Sequence, residues 1–227
     1  TLLNCYDASN IPLTEKILNR PRLIQRISKS IDKNSPGHLI FFNVTHAEQQ
    51  LATELNLPIY GCDPSLNYLG TKSGCRVLFK ECGIPLPKGY ENLYSESDII
   101  QALFELKVDN RNLKKAVIKM NDGFSGDGNA IFYYENAPTD QYSLKPWIEK
   151  NIKKNIKIVA EKLKYHKYME KFSAMGGIVE EFVVGEIITS PSSQIRINPL
   201  GEICIISTHD QVLGGESGQV FIGATFP

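Results

Sequence analysis

The feature that most constrains this chain is the segment KMNDGFSGDGNAIF, residues 119–132, which lies between two apolar runs. Ala116–Ile118 precede it, and Phe132–Tyr134 close it. Two strand-like runs joined by a loop with three glycines predict a β-hairpin, because glycine adopts the positive φ angles of tight turns. The loop is either a flexible turn with solvated aspartates or a nest of backbone N–H groups for an anion such as a nucleotide phosphate.

Two common phosphate-binding motifs are excluded. The glycines stand at positions 123, 126 and 128, which is not the G-x-G-x-x-G order of a dinucleotide fold, and they lie between strands instead of before a helix. Gly70–Ser73 lacks the upstream glycine of a Walker A loop. Lys119, at the entrance of the loop, supplies a charge suited to phosphate oxygens. The loop alone leaves both interpretations open.

Composition excludes several classes of partner. The 25 Lys and Arg residues balance 25 Asp and Glu residues, and no apolar run approaches the ~20 residues of a membrane helix, so neither nucleic acid nor membrane is predicted. The five cysteines show no zinc or C-x-x-C spacing, which favours a reducing cytoplasm. The chain begins with Thr1 and ends in GGESGQVFIGATFP without a predicted closing element, so we expect it to be cut at both ends.

The first seventy residues alternate between helix and strand patterns, which predicts an open parallel α/β unit. The predicted elements are a helical region over Leu13–Ile31 interrupted by Pro21, a buried strand over His38–Phe42, a helix capped by Thr45 and Glu48 that ends near Leu55, and a strand over Leu57–Tyr60.

The remainder begins with helices and becomes rich in strands. The predicted elements are a helix over Lys72–Cys82 stopped by Gly83, a helix capped by Ser95 and Asp98, strands over Ala116–Met120 and Ala130–Tyr134, an amphipathic helix over Ser143–Phe172, and strands over Ile178–Val184, Ile187–Thr189, Gln194–Asn198 and Ile203–Ser207, with a hairpin turn at Gly201. The Ser143–Phe172 segment carries nine lysines and three glutamates, which favours a solvated helix face over a nucleic-acid surface.

A pair of glutamates interrupts an otherwise apolar strand. Because adjacent strand residues point to opposite faces, only one of Glu180 and Glu181 can share a face with Phe182. A nucleotide base needs donors and acceptors at such a strand, but two carboxylates could equally line a sheet edge.

Taken in order, four motifs resemble the ATP-grasp superfamily. They are Gly70-Thr71-Lys72, Gly83-Ile84-Pro85-Leu86-Pro87, Val117-Ile118-Lys119 with the glycine loop, and Val179-Glu180-Glu181-Phe182-Val183 followed by Gly185-Glu186. TKSGCRVLFKECGIPLPKG, GDGNAIF, SPSSQIRINPLGE and STHDQVLGG look most like peptide ligases of the pheganomycin-biosynthesis type. The motifs cover residues 70–227, and the α/β segment before them looks like the domain that usually precedes the two ATP-grasp lobes. Together the two resemblances imply four regions. They are a pre-ATP-grasp α/β domain over 1–69, a helical connection over 70–114, a small ATP-grasp lobe over 115–184, and the incomplete start of a large lobe over 185–227.

The resemblance also implies roles for individual residues. Lys72 and Lys119 match the lysines that hold ATP phosphates. The phosphate-covering loop is matched by Gly123, Ser125, Gly126, Gly128 and Asn129. Base contacts are matched by Glu180, whose carboxylate accepts from the adenine amino group, and by the backbone of Glu181 and Val183, while Glu186 matches a ribose-binding acid. Arg196, His209, Asp210 and Gln211 fall where acylphosphate or substrate contacts occur, although Arg196 could be an exposed strand arginine and His209 a satisfied hairpin residue.

The activity that the resemblance implies is an ATP-dependent carboxylate–amine ligase using ATP and Mg²⁺. Its partners would be a small carboxylate and an amine, either amino acids or peptides, and the sequence predicts no oligomeric state. The family's magnesium ligands match no residue here, so we expect them beyond residue 227. Two alternatives remain: a small-molecule kinase of the same superfamily, and a non-catalytic nucleotide-binding or regulatory domain.

Overall fold

The fold is that of a computed structural model. It describes residues 2–32, 34–123, 126, 128–160, 162–198, 200–215, 218 and 220–227. The chain forms two compact units. The first contains the residues up to Asn67 together with Ser193–Ser207, and the second contains Tyr68–Ser192 and Thr208–Pro227.

Eight α-helices and eight strands are assigned among the described residues. The helices are α1 (Leu13–Leu18), α2 (Pro21–Ser30), α3 (His46–Leu55), α4 (Asn67–Gly70), α5 (Lys72–Glu81), α6 (Glu96–Asp109), α7 (Gln141–Asn155) and α8 (Tyr165–Met175). The strands are β1 (Gly89–Leu93), β2 (Lys115–Met120), β3 (Asn129–Tyr133), β4 (Ile156–Ile158), β5 (Gly177–Glu181), β6 (Pro191–Ile197), β7 (Ile203–Gly214) and β8 (Val220–Thr225). No helix within these described ranges has the length and apolar character needed to cross a membrane.

The first unit is built around α1, α2 and α3. As the sequence predicts, Pro21 separates α1 from α2, and Thr45 with Glu48 forms a capping box at the start of α3. The two strands predicted here are reduced to one parallel bridge between Leu39 and Ile59. Ile40 is 72% exposed, so the run that includes it is not a buried strand. Among the described residues of this stretch, one bridging pair is too little pairing to form a strand with a continuous buried apolar run.

The second unit contains an antiparallel sheet of order β1-β5-β2-β3-β4. One face packs on α6, α7 and α8 and forms the hydrophobic core. The side chains at its centre, none more than 1% exposed, are Ile99, Leu103, Leu106, Ile118, Phe132, Ile148, Ile152, Tyr168, Phe172 and Val179. The other face of this sheet carries the charged residues described below.

The helix predicted over Ser143–Phe172 is wrong. The chain leaves α7 at Asn155, pairs as β4 with β3, and becomes helical again at Tyr165. Ile156 continues the helical spacing of Ile148 and Ile152, but together with Ile158 it also fits the alternation of an edge strand. The open edge of β3 selects the strand.

A second sheet has the order β6-β7-β8. Gly201, with φ of +82°, turns the chain between β6 and β7 as predicted. Two predictions fail here: Ile187–Thr189 is not a strand, and the last residues do form a closing element, β8, which pairs antiparallel with β7. The mixed architecture, with antiparallel sheets and helices, agrees with the predicted fold class of an α/β and α+β chain.

Candidate functional site: a charged sheet face beside the glycine loop

The face of the five-stranded sheet opposite the hydrophobic core gathers three of the predicted site residues. In β2, Val117 lies opposite Glu180 of β5, and Lys119 lies opposite Ile178 of β5 and Asn129 of β3. Val117 and Lys119 are two residues apart and so point to the same face of the sheet. Directly opposed residues point to the same face, so Lys119, Glu180 and Asn129 share it. Glu181 points to the other face, where its Oε1 accepts from Asn110 Nδ2 at 3.3 Å. The prediction that one glutamate alone shares the face of Phe182 is therefore confirmed.

Glu180 is the centre of this face. It is buried, with 7% of its surface exposed, and both carboxylate oxygens are engaged. Oε1 accepts from Lys119 Nζ at 2.5 Å, and Oε2 accepts from Arg76 Nη1 at 2.7 Å. Burying a carboxylate is costly unless it is paired, and two cations pair this one.

Arg76 reaches Glu180 from α5. It is itself buried, and its other nitrogens are held by Glu91 Oε2, 3.3 Å from Nε, and by the Pro87 carbonyl, 3.0 Å from Nη2. Lys80, one turn further along α5 and 47% exposed, forms the outer ion pair with Glu91. The result is a row of alternating charges that runs from solvent to the centre of the sheet face.

The first turn of α5 is fixed against the glycine loop. Thr71 caps the helix by accepting from the Gly74 N–H at 3.0 Å. The Lys72 N–H donates to the Asn121 carbonyl at 3.3 Å, and the Ser73 N–H donates to Asn121 Oδ1 at 3.0 Å. The free N–H groups at the start of this helix are therefore satisfied by the protein and do not form an anion site.

Lys72 and Lys119 form a pair of like charges at this end of the sheet. Burial lowers the pKa of Lys72 below its usual value, and the positive charge of Lys119 lowers it further, while Asp122 and Glu180 act in the opposite direction. Two cations that raise each other's energy are stabilised by an anion placed near both of them. The arrangement suits a phosphate group.

The glycine loop is partly described. Gly126 has φ of +85°, and its carbonyl accepts from the Asn129 N–H at 2.8 Å. The Gly128 carbonyl accepts from the Met120 N–H at 3.0 Å, which closes the hairpin. Asp122 and Gly123 are exposed. Ser125, another predicted phosphate contact, lies outside the described residues.

A cavity lies at the far end of the same sheet region. Its volume is about 580 Å³, and it is lined by Lys114, Lys115, Phe182, Val183 and Val184, together with residues 110, 112, 113 and 181. The Lys115 ammonium lies over the rings of Tyr133 and Phe182, 5.4 Å from each centroid. Apolar walls with a few polar groups are typical of a pocket for a small ligand.

The remaining predicted residues belong to other segments of the chain. Glu186 is exposed in an irregular segment after β5. Arg196 belongs to the first unit, where its guanidinium lies over the Tyr60 ring at 5.2 Å. His209 contacts the Phe226 ring, and its buried Nδ1 has no hydrogen-bond partner among the described residues. Gln211 Oε1 accepts from Ser190 Oγ at 3.0 Å. The ribose contact of Glu186 and the catalytic roles of Arg196, His209 and Gln211 stay predictions.

The comparisons with known proteins address the family. A profile described as IQCH-like, ATP-grasp matches residues 64–164, a range that contains α5, Lys72, Lys119 and the glycine loop. The L-propargylglycine–L-glutamate ligase of Streptantibioticus cattleyicolor is 25% identical over 231 residues, which cover all of this chain and 45% of the ligase. Over residues 64–164 the chain is therefore similar to ATP-grasp domains. The predicted superfamily is thereby confirmed, and the narrower resemblance to pheganomycin-type ligases stays a prediction.

Two further relatives bear on the assignment. The IQ motif-containing protein H of Danio rerio is 24% identical over 253 residues, covering 99% of this chain and 24% of that protein. The N5-carboxyaminoimidazole ribonucleotide synthetase, solved as an ADP complex, superposes with a TM-score of 0.50 at 12% identity, over 88% of this chain and 42% of the synthetase. That likeness shows the fold alone. The chain spans about a quarter of the first of these curated relatives and under half of the S. cattleyicolor ligase.

Sequence reasoning missed Arg76 and Asn121. Arg76 lies four residues after Lys72, and residues four apart share one face of a helix, so the spacing indicated a second cation on the helix face of Lys72. Asn121 had no comparable signal, because its role depends on contacts with α5 and with the Met175 carbonyl, both distant in sequence.

Proposed function

We propose that this ATP-grasp protein is an ATP-dependent carboxylate–amine ligase that acts through an acylphosphate. The observation that carries the proposal is the sheet face on which Lys119 and the buried Glu180 meet, with Lys72 close enough for Lys119 to lower its pKa. Two cations beside a glycine loop suit a polyphosphate, and a carboxylate beyond them suits the amino group of a base.

The geometry supports an orientation for the nucleotide along β2. Lys119 and the loop lie at one end of the strand, and the cavity lined by Lys115 and Phe182 lies at the other. At about 3.3 Å per residue, Lys115 and Lys119 are roughly 13 Å apart along the strand. We assign the phosphates to Lys72 and Lys119, the adenine amino group to Glu180, and the edge of the base to the cavity.

The proposed chemistry follows from these positions. A substrate carboxylate attacks the γ-phosphorus of ATP, the bond to the β-phosphate oxygen breaks, and ADP leaves with that electron pair. An amine then attacks the acylphosphate, and phosphate leaves as the amide forms and the amine loses a proton. Phosphoryl transfer depends chiefly on positioning and charge neutralisation, which Lys72 and Lys119 supply on the protein side. Closure of the glycine loop would keep water from the acylphosphate.

Mg²⁺ is a general requirement that the superfamily implies. Within the part of the chain that the structure describes, no group of three or more His, Cys, Asp or Glu side chains converges to hold a metal ion. No step is therefore assigned to a metal ligand of this chain.

A second candidate is nucleotide binding without ligation. It is favoured by the matching profile, which is described as IQCH-like, and by the similarity to IQ motif-containing protein H, which is not named as a ligase. The same charged face would then hold a nucleotide as a regulatory or structural ligand.

The two candidates are separated by product analysis. The protein is incubated with ATP, Mg²⁺ and a panel of carboxylates and amines, and ADP, phosphate and coupled product are measured. Phosphate release that requires both a carboxylate and an amine, with an amide product, supports the ligase. ADP binding without turnover across the panel supports the second candidate, and a phosphorylated alcohol would show a kinase instead. Absence of any nucleotide binding would contradict both candidates.

A further inference from the structure

Arg76 has three fixed contacts in the interior of the second unit. Its guanidinium donates to Glu180 Oε2 at 2.7 Å, to Glu91 Oε2 at 3.3 Å and to the Pro87 carbonyl at 3.0 Å, and 6% of its surface is exposed. Guanidinium groups hold carboxylates in a defined orientation because their donors are planar and rigid. Arg76 cannot leave Glu180 without leaving the other two acceptors as well.

Lys119 holds the other oxygen of Glu180 in a different way. Its ammonium is 24% exposed and is carried on a flexible four-carbon chain. A phosphate near Lys72 would compete with Glu180 for this ammonium. When Lys119 turns to the phosphate, Oε1 becomes available and Oε2 remains paired with Arg76.

We infer that Arg76 is a positioning residue that sets the base preference of the nucleotide site, by keeping Glu180 a paired carboxylate with one oxygen free for an exocyclic amino group. This inference rests on the proposed nucleotide site. A carboxylate that is paired through Oε2 offers only acceptors at Oε1. Glu180 in this state binds a purine with an amino group at position 6 more tightly than one with a carbonyl there. Two acceptors that face each other both lack a donor, which weakens binding.

Removal of Arg76 has two possible consequences for Glu180, and both weaken the preference. Glu180 can retain Lys119, in which case Oε1 stays occupied and makes no contact with the base. Alternatively it can take up a proton, in which case it can donate to a carbonyl as well as accept from an amino group. A purely structural role for Arg76 would instead weaken the binding of all purine nucleotides by the same factor.

The test compares ADP with IDP, which carry an amino group and a carbonyl respectively at purine position 6. Their dissociation constants are measured by calorimetry on the wild type, on Arg76→Met and on the double variant Arg76→Met/Glu91→Gln. The double variant removes one positive and one negative charge, so the half-buried Glu91 is not left as a carboxylate that has lost one of its two cations. It serves if the single variant does not fold. Arg76→Lys keeps the charge and is expected to recover part of the preference. The controls are Lys80→Met, which loses the outer ion pair, and Glu91→Gln.

We expect the wild type to prefer ADP by about tenfold or more, as for one hydrogen bond to a charged group. Both Arg76→Met proteins should bring the ratio to within about threefold of unity, and both controls should keep the wild-type ratio. A wild-type ratio retained in the double variant would overturn the inference and leave the nucleotide site standing, as would equal binding of ADP and IDP by the wild type. A wild type that binds neither nucleotide would overturn both.

Discussion

Gly74 in α5 gives the sharpest test of how the site is held together. A Cβ at this position would lie 1.9 Å from the Tyr68 carbonyl oxygen, 2.7 Å from its carbon and 3.0 Å from the Leu69 Cα. All three neighbours are backbone atoms, so no side chain can rotate away. Gly74→Ala should therefore displace the start of α5 from the preceding turn.

The size of the effect follows from these distances. Ordinary van der Waals contact begins at about 3.4 Å, so the helix has to move by roughly 1.5 Å to accept the methyl group. Overpacking of this kind costs about 1–3 kcal/mol, whereas helix propensity alone would make alanine about 1 kcal/mol better than glycine. Because the three clashing neighbours are backbone atoms, we place the overpacking cost in the upper part of this range, at about 2–3 kcal/mol, which leaves a net loss of roughly 1–2 kcal/mol. Because α5 carries Lys72 and Arg76, ADP affinity should fall by at least about tenfold, since displacements of this size weaken oriented contacts.

The assay is thermal unfolding together with ADP calorimetry on Gly74→Ala and on Gly70→Ala. The second variant is a matched control, because a Cβ at Gly70 meets nothing within 4 Å. It should leave stability within about 0.5 kcal/mol or raise it slightly, since alanine restricts the unfolded chain. For Gly74→Ala we expect the melting temperature to fall by several degrees, at about 2–4 °C per kcal/mol. A Gly74→Ala protein that is as stable as the control and binds ADP normally would refute the reasoning.

Three further predictions follow from single residues. Burial and Lys119 lower the pKa of Lys72, so wild-type ADP affinity should begin to fall at a pH below 10.5. Lys72→Arg stays charged and should lose less ADP affinity over the same pH range. Identical pH profiles of the two proteins would contradict this role of Lys72. Tyr134→Phe should cost about 1 kcal/mol in denaturant unfolding, since the buried hydroxyl donates to the Leu103 carbonyl at 2.8 Å, and an unchanged midpoint would argue against that bond. Burial raises the pKa of Tyr134 and Tyr168 above 10, so their neutral forms stabilise the fold below pH 10, and this contribution is lost as the pH rises further. Tyr168→Phe should reduce the loss of stability at alkaline pH. An unchanged slope of unfolding free energy against pH would contradict this.

Helix boundaries could be predicted from the sequence where local chemistry sets them. Thr45 with Glu48 and Ser95 with Asp98 cap α3 and α6 as expected, and Gly83, with φ of +67°, follows the end of α5. These signals involve neighbouring residues whose hydrogen bonds form in almost any tertiary context. Pro21 likewise separates α1 from α2.

The errors arose where a distant strand decides the conformation. Ile156–Ile158 became β4 because β3 offers an unpaired edge, and its helical spacing carried no information about that edge. The predicted strand over His38–Phe42 failed for the opposite reason, because the pairing assigned there among the described residues is a single parallel bridge, Leu39 with Ile59. Strand formation depends on partners that local patterns do not reveal.

The candidate site was only partly visible in the sequence. Lys119 and Glu180 were identified through the family resemblance, and strand register explains why they share a face. The burial of Glu180 and its pairing with Arg76 depend on the packing of α5 against β5, which residue spacing alone does not establish.

The central claim is that the charged sheet face binds a nucleotide through its lysines. It is tested most directly by calorimetric titration of ADP into the wild type, Lys119→Met and Lys171→Met. Lys171 is an exposed residue of α8, so its variant matches the loss of one positive charge away from this face. We predict that Lys119→Met weakens ADP binding by about 10- to 100-fold, the range for one hydrogen bond to a charged group, and that Lys171→Met changes it by less than about twofold. Equal ADP affinity in the wild type and Lys119→Met, or a wild type that does not bind ADP, would contradict the account.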